Sequence, residues 1–562
     1  MKRPAPNPAL YYSAPDYSTG GERLMGKHAA NEGFLKAYVE HSGQEHFVCY
    51  TQTEKGFQHF QKQMQQFATP RTPTSSWIEP SNLAAIREVG CLFIPSSQVD
   101  ELTWPRRRIG QKAYSVCGLT HTMASQGPMQ ILRNIVFYPT QPWDALICTS
   151  KSVKACVEYV VQQWIAYFCQ RFHVKEFTLP IRLPVIPLGV NTAQFLEGNA
   201  AQSARDEWRK QLKIGDDDVV FLFIGRLSAH AKAHPVAMYR ALELAAQKSK
   251  RKFHLIQAGW FANDGIRKAF EEGARVTCPS VRCIFVDGRQ QDVRKKIWYA
   301  ADVFTSLSEN IQETFGLTPI EAKAAGLPLV ITDWDGYRET VRHEVDGFRI
   351  PTMAPAPGMS EDISLCFELG IDNYDHYLAN CCQVTSVDIS LCAEAYHTLA
   401  ENPDLRKKMG EAGRQHAREI YDWKHVIRAY QDLWQELSAL RQSNEEISPA
   451  GGTVVPHPAF DDPFAIHANY PTDTLRTDAL LRLTQGYEPD DFKKIRALQM
   501  NRFGKLAPEG QCVNALKYIA KEGQASLGDV IRQVPEKDRM LLARSMLWCA
   551  KVGMLSIGDH NS

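Results

Sequence analysis

The chain has 562 residues, 44% of them apolar, with 64 Lys and Arg against 63 Asp and Glu, a formal net charge of +1. That length exceeds what one hydrophobic core organises, so two to four domains are expected, and the near-neutral balance excludes a global field that would select nucleic acid or an anionic membrane. No apolar run approaches the roughly 18 residues that span a bilayer, and the prolines at 4, 6, 8 and 15 in "MKRPAPNPALYYSAP" interrupt the stretch a signal peptide would need. The 14 cysteines form neither a Cys-x-x-Cys pair nor a Cys/His cluster at zinc spacing. They read as reduced thiols of a cytoplasmic protein.

In chain order, "ALYYSAP" opens as a short apolar run, the loop "DYSTGGERLMG" follows, and "AANEGFLKAYVEH" has helical spacing. "HFVCYT", "CLFIP", "YSVCGLTH" and "ALICTS" then alternate, as strands, with helical segments. This α/β half ends near "LPVIPLGVNTAQF", residues 183–195. A second series begins at "DVVFLFIGRLS" (218–228) and continues through the strands "FHLIQAG", "RCIFVDG", "DVFTSLS" and "PLVITD", with helices at "ALELAAQKS" and "VRKKIWYAA". The fold class expected is therefore α/β, with two Rossmann-like domains facing one another across a cleft and ligands held beyond the carboxyl ends of the strands. The expected boundaries are an N-terminal domain over 1–190, completed by helices at about 415–440, and a second domain over 191–414. A Pro/Gly/Ser-rich linker would occupy 441–475, and a small helical, winged-helix-like domain 476–562.

Two stretches carry the chemistry. In "ETFGLTPIEAKAAGLP" (313–328) Thr318, Pro319 and Glu321 have the spacing of a capping box, which gives Glu321 a structural reading beside a ligand-binding one. Glu313 lies outside the helix and has no such alternative. Gly316 lets backbone N–H groups approach an anion at a fresh helix end, an arrangement that suits a diphosphate flanked by carboxylates reading sugar hydroxyls. In "GRLSAHAKAHP", Arg226 follows a strand directly and Lys232 comes six residues later, two cations able to neutralise a leaving phosphate ester. A solvated basic loop is the alternative for that stretch taken alone.

Together, "GRL" with its following Lys and "AADVFTSLSENIQETFGLTPIEAKAAGLPLV" resemble the donor-binding half of family 4 glycosyltransferases, retaining enzymes of the GT-B fold. "VIPLGVNTAQF" is similar to that family's hinge-side motif, with Asn191 where an Asp is usual, and "STGG" (18–21) is similar to its N-terminal glycine loop. The resemblance covers roughly 9–440. It implies that Arg226 and Lys232 hold the nucleotide diphosphate, that Glu313 contacts the donor sugar and Glu321 the ribose, and that amides of Gly316, Leu317 and Thr318 face the distal phosphate. It further implies that His121, in "GLTHTMAS", sits beside the transferred sugar and that Gly20 and Gly21 let a loop close over the phosphates. The Arg-to-Lys spacing is one residue longer than the common form, and Ala233 stands where a Gly is usual.

"DWD" (333–335) copies the Asp-x-Asp with which other sugar transferases bind manganese, but Gly336 and Glu339 fit the family's turn after a strand, so a loop and no metal requirement are expected. Without a cofactor, the implied partners are a nucleotide-sugar donor and a glycan, lipid-linked or small-molecule acceptor. Polysaccharide or glycolipid synthesis fits that chemistry, with room for a peripheral membrane contact and for an oligomer through the C-terminal domain. Two other functions compete: a catalytically silent GT-B partner subunit, and a regulator binding nucleic acid through the tail. Residues 471–562 hold 14 Lys and Arg against 11 Asp and Glu, a modest excess for a duplex reader.

Overall fold

A computed structural model describes residues 7–18, 26–67, 73–447, 455, 457–498 and 505–558. The chain divides into two compact units, Met1–Ala459 and Phe460–Ser562.

The first unit holds two parallel six-stranded sheets. One contains β1 (Ala9–Tyr11), β2 (His46–Tyr50), β3 (Thr74–Ile78), β4 (Cys91–Ile94), β5 (Ser115–Leu119) and β6 (Ala145–Ile147), in the order β3-β2-β1-β4-β5-β6. The other contains β7 (Val219–Ile224), β8 (Phe253–Gly259), β9 (Val281–Asp287), β10 (Val303–Ser306), β11 (Leu329–Thr332) and β12 (Gly347–Ile350), in the order β12-β11-β10-β7-β8-β9. Counted from its own first strand, each half has the same Rossmann order, with a switch point between β1 and β4 and between β7 and β10. The chain is thus a GT-B arrangement of two Rossmann-like halves. Central strands are buried throughout, "CLFI" and "FHLIQAG" at every residue, because helices cover both faces, and they are apolar but for His254 and Gln257. Edge strands β3 and β12 are half-buried and mixed in composition, "TSSWI" and "GFRI". Apolar runs do not single these two out, and both are additions to the strands expected above.

The chain crosses between the halves twice at one place. Val190 N–H donates to Tyr421 O at 2.8 Å and Trp423 N–H to Val190 O at 3.2 Å, while the Thr192 hydroxyl donates to Asp422. Asn191 caps the single turn that follows, its side chain accepting from Ala193 N–H at 3.1 Å. Trp423 lies flat on Gly189, where any Cβ would come within 2.4 Å of the indole. The returning helix, Trp423–Ser443, buries Tyr430 and Trp434 against Phe34, Tyr38 and Phe93 of the first half, with ring centroids 5.4 to 5.8 Å apart.

The second unit has a three-stranded antiparallel sheet with Leu480–Leu483 central, between Ala525–Ser526 and Leu555–Gly558. Helices Glu509–Glu522, Leu527–Ile531 and Glu536–Lys551 close a core around Leu481, Leu516, Val530 and Met546. All 14 cysteines are free thiols. Among the described residues no helix is long and apolar enough to cross a membrane, and no group of three His, Cys, Asp or Glu side chains could hold a metal ion.

Candidate active site

The carboxyl end of β7 leads straight into Gly225 and Arg226. The Arg226 guanidinium is partly buried and donates to Ala231 O and to Gln312 Oε1, both at 3.0 Å; burial pushes its pKa down. Gln312 in turn donates to the Tyr374 hydroxyl at 2.8 Å, so one amide holds the arginine in place. Lys232 does not stand free. Its ammonium pairs with Glu313 and lies 5.8 Å from the centroid of the Tyr337 ring. Burial opposes the lysine's charge, but Glu313 and Tyr337 more than compensate, and its pKa is raised. Burial likewise opposes ionisation of Glu313, yet Lys232 and the amides of Thr314 and Phe315 hold it below the usual carboxylate range. Both partners are therefore charged across the neutral range.

The helix after this loop begins earlier than its capping-box spacing suggests. It spans Leu317–Ala325 with Gly316 as N-cap at φ 93°, and no side chain caps it. Thr318 is the second helical residue and Glu321 the fifth, so Glu321 does not reach back as a cap. The tertiary reason is Tyr337. A Cβ at residue 316 would lie 2.3 Å from its ring, so only glycine fits beneath it. The first-turn amides have no intrahelical partner. Beside them the Thr318 hydroxyl is buried without a hydrogen-bond partner. Glu321 is half-buried, and burial pushes its pKa up to about 7 against the pull of Arg294.

The "DWD" segment folds over this loop. Trp334 Nε1 donates to Asn310 O at 3.1 Å, and Gly336 packs so tightly that a Cβ would lie 2.5 Å from Thr314 O. Between them Asp335 adopts φ 44°, a left-handed conformation costly for a side chain other than glycine. Burial first, and Glu313 second, push its pKa up to about 8, and its Oδ2 is buried without a partner. Glu309, 3% exposed, accepts from His234 N–H at 2.7 Å and the Cys382 thiol at 3.0 Å; burial raises its pKa to about 7. On sequence, Asp335 reads only as part of a loop, and neither Glu309 nor Gln312 stands out. The only signal was crowding of polar residues at a strand's carboxyl end.

Across the cleft, His121 follows β5. Its Nε2 lies 2.9 Å from Pro95 O, an acceptor only, so Nε2 carries the proton and Nδ1 is bare. Burial lowers the ring's pKa to about 4, so the imidazole is neutral. Asn31, 2% exposed, donates to Asp16 O and Pro95 O and ties the loops after β1 and β4 together. Gly20 and Gly21 lie outside the described residues. Glu339, from the turn after β11, accepts from the amides of Lys151 at 2.6 Å and Ser152 at 3.4 Å, joining the halves at the start of helix Lys151–Phe172.

Arg226, Lys232, Glu313, Gly316, Leu317, Thr318, Glu321 and Asp335 all fall within residues 204–365, the segment matched by the family model described as Glycosyl transferases group 1. This segment is similar to group 1 glycosyl transferases. The chain is 26% identical over 179 residues to an uncharacterized glycosyltransferase of Methanocaldococcus jannaschii, the match covering 32% of this chain and 42% of that one. It is 30% identical over 183 residues to a D-inositol 3-phosphate glycosyltransferase of Acidothermus cellulolyticus, covering 32% of this chain and 39% of that protein. A Corynebacterium urealyticum protein of the same name is 24% identical over 273 residues, covering 48% and 55%. The chain thus spans about half or less of these relatives' own length. Among solved structures it is similar to sucrose-phosphate synthase from Thermosynechococcus elongatus, with a TM-score of 0.47 and 16% identity over 77% of this chain and 99% of that one. Anabaena HepE in complex with UDP gives a TM-score of 0.46 and 15% identity over 76% and 98%. The matched segment contains most of the grouped polar residues at the second sheet's crest, with Tyr374 and Cys382 beyond its end; His121 and the loops around it also lie outside it.

Proposed function

We propose that the protein is a glycosyltransferase that moves a sugar from a nucleotide diphosphate sugar to an acceptor hydroxyl with retention of anomeric configuration. The observation that carries this reading is the uncapped helix start at Gly316–Thr318. Its free amides and orphaned Thr318 hydroxyl adjoin Tyr337, whose ring also contacts the Lys232–Glu313 pair. A buried hydroxyl without a partner costs free energy unless a ligand supplies one. A helix end lined with amides supplies it best to an anion.

In this reading the donor's diphosphate lies at the helix end beside Arg226 and Lys232. Breaking the sugar–phosphate bond leaves charge on the departing diphosphate and an oxocarbenium-like centre on the sugar. Preorganised cations and amides stabilise the first without having to reorganise during the reaction. Donor binding exchanges partners: Lys232 turns to phosphate, and Glu313, already ionised, accepts from a sugar hydroxyl. Glu321 accepts from the ribose. The bare Nδ1 of His121 accepts a hydroxyl of the transferred sugar across the cleft. The acceptor hydroxyl then attacks on the face the diphosphate leaves, which preserves configuration. No metal enters this account, because two cations and a helix end already supply the positive field.

The acceptor is a glycan, a lipid-linked glycan or a small molecule, and 14 free thiols suit a cytoplasmic setting. Purified chain incubated with radiolabelled UDP-, GDP- and ADP-sugars tests the reading. Transfer or slow hydrolysis of one donor, with the anomer of the product read by NMR, is the expected result. A folded protein that neither turns over nor is thermally stabilised by any of these nucleotides is instead a silent partner subunit.

A further inference from the structure

Helix Lys151–Phe172 is 22 residues long, so at 1.5 Å per residue its ends lie roughly 30 Å apart. Its first turn meets the cleft through Glu339. Its last turns carry a different surface. Trp164, Phe168 and Phe172, four residues apart, stack with centroids 5.7 and 6.0 Å apart and planes within 28° and 26°. Tyr167 stands at 88° to Trp164, and Phe137, from the end of helix Gln126–Phe137, at 67° to Phe168. These rings line an open groove of about 460 Å³. Phe137, Tyr167 and Phe172 are each more than half exposed, an arrangement that core packing does not require.

The polar lining is cationic. Among the described residues the Arg133 guanidinium bonds only to Asn134 Oδ1, at 3.4 and 3.2 Å, and the Asn134 amide is braced by Asp100 at 2.9 Å. The Arg171 guanidinium, also in the lining, has no hydrogen bond or ion pair among the described residues, and none of those lining the groove is a carboxylate. Two guanidinium groups without an ion-pair partner among the described residues, beside exposed rings, match one chemistry well. Aromatic faces, negative by their quadrupole, take the polarised C–H face of a pyranose, and each fork of an arginine takes a carboxylate two-pronged. Anionic lipid would be recognised by a cluster of about four to eight cations on a surface that enters the headgroups. Here there are two, in a hollow.

We propose that this groove is a docking subsite for an acidic glycan, which places the preferred acceptor among polymers or oligosaccharides bearing uronic-acid-type carboxylates. The ligand would be held roughly 30 Å from the cleft while its end reaches the reacting sugar. The acceptor role rests on the transferase reading above; affinity for an acidic sugar chain does not.

The test uses the full chain, with a galacturonic acid hexamer, a neutral glucose hexamer, and vesicles of equal parts phosphatidylglycerol and phosphatidylcholine. Arg171→Glu and Tyr167→Ala change exposed side chains outside the transfer machinery, so folding and nucleotide-induced thermal shift should be unchanged. The acidic hexamer is expected to bind saturably by calorimetry and to weaken with salt. Each variant should lose about tenfold or more, and the neutral hexamer should bind at least tenfold more weakly than the acidic one. Equal binding of both hexamers, or none of either, overturns the proposal. So does vesicle co-sedimentation abolished by Arg171→Glu without hexamer binding, which would make the surface a membrane contact. A dimer in sedimentation that Tyr167→Ala dissociates would assign it to a second copy instead. Hexamer binding without any nucleotide-induced shift would retain the glycan site and reject the transferase reading; the converse result would do the opposite.

Discussion

The two halves of the first unit share a strand order but not a chemistry at their crests. Above the second sheet, ionised and orphaned polar groups crowd together: Lys232 against Glu313, an uncapped helix end, Asp335 with an unpartnered oxygen. Above the first sheet, the comparable position holds a neutral histidine pinned to a carbonyl and an asparagine tying two loops together. One topology thus presents buried, crowded charges on one side of the cleft and, on the other, a neutral histidine near a half-exposed Lys27–Asp16 ion pair. Fold alone dictates neither. What differs is which loops follow the strands.

The sharpest way to break this contrast is to remove charge from the second crest. Arg226→Ala should lower transfer on the order of 10²–10³-fold, as loss of a preorganised charge-stabilising donor does elsewhere. Steady-state kinetics with the accepted donor measures it, and turnover near the unmutated rate would strip Arg226 of its role. Next comes Gly316→Ala, which forces a side chain into φ 93° and onto the Tyr337 ring. It should cost roughly 2–4 kcal/mol in urea unfolding and erase the nucleotide-induced rise in Tm.

Thr318→Val separates stability from function. Removing an orphaned buried hydroxyl should raise stability of the free protein by about 1 kcal/mol while shrinking the shift produced by nucleotide. If both fall together, the hydroxyl has a structural partner and the helix end is no ligand cradle.

The smallest effect tests the neutral histidine of the first crest. The native His121 refuses a proton that the unfolded chain accepts between its ordinary pKa and about 4. At this site more protons are bound in the unfolded state over that window, so the contribution of His121 to stability falls as pH drops from about 6.5 towards 4, while the raised carboxyls of Glu309, Glu321 and Asp335 act in the opposite direction. His234 and His254, also lowered by burial, act in the same direction as His121. His121→Asn should flatten the slope by up to about one proton's worth. An unchanged slope would mean that His121 titrates normally and is not the neutral group of the first crest.

The architecture could be read from the chain because buried parallel strands are unbroken apolar runs and their alternation with helices is periodic. Edge strands β3 and β12 escaped because half of each faces away from the core, so a serine or arginine there breaks no rule. Within the site, Arg226, Glu313 and Gly316 announce themselves by position after a strand. The Lys232–Glu313 pair does not, since the two are separated by 81 positions and meet only when β7 and β10 lie side by side. The helix start was misplaced because Thr318 and Glu321 satisfy a local rule that Tyr337, packed on Gly316, overrides. Nothing local marks Asp335, whose backbone is set by the Trp334 and Gly336 contacts flanking it.

The double crossing at Val190 and Trp423 also governs the order in which the chain can become native during synthesis. The aromatic surface formed by Phe34, Tyr38 and Phe93 receives its cover, Tyr430 and Trp434, only after the whole second half has emerged. Partners such as Thr192 and Asp422 are 230 positions apart. A ribosome adding residues at about 5–20 per second leaves that surface bare for on the order of ten seconds or more, an interval in which the second half can complete itself and the first cannot.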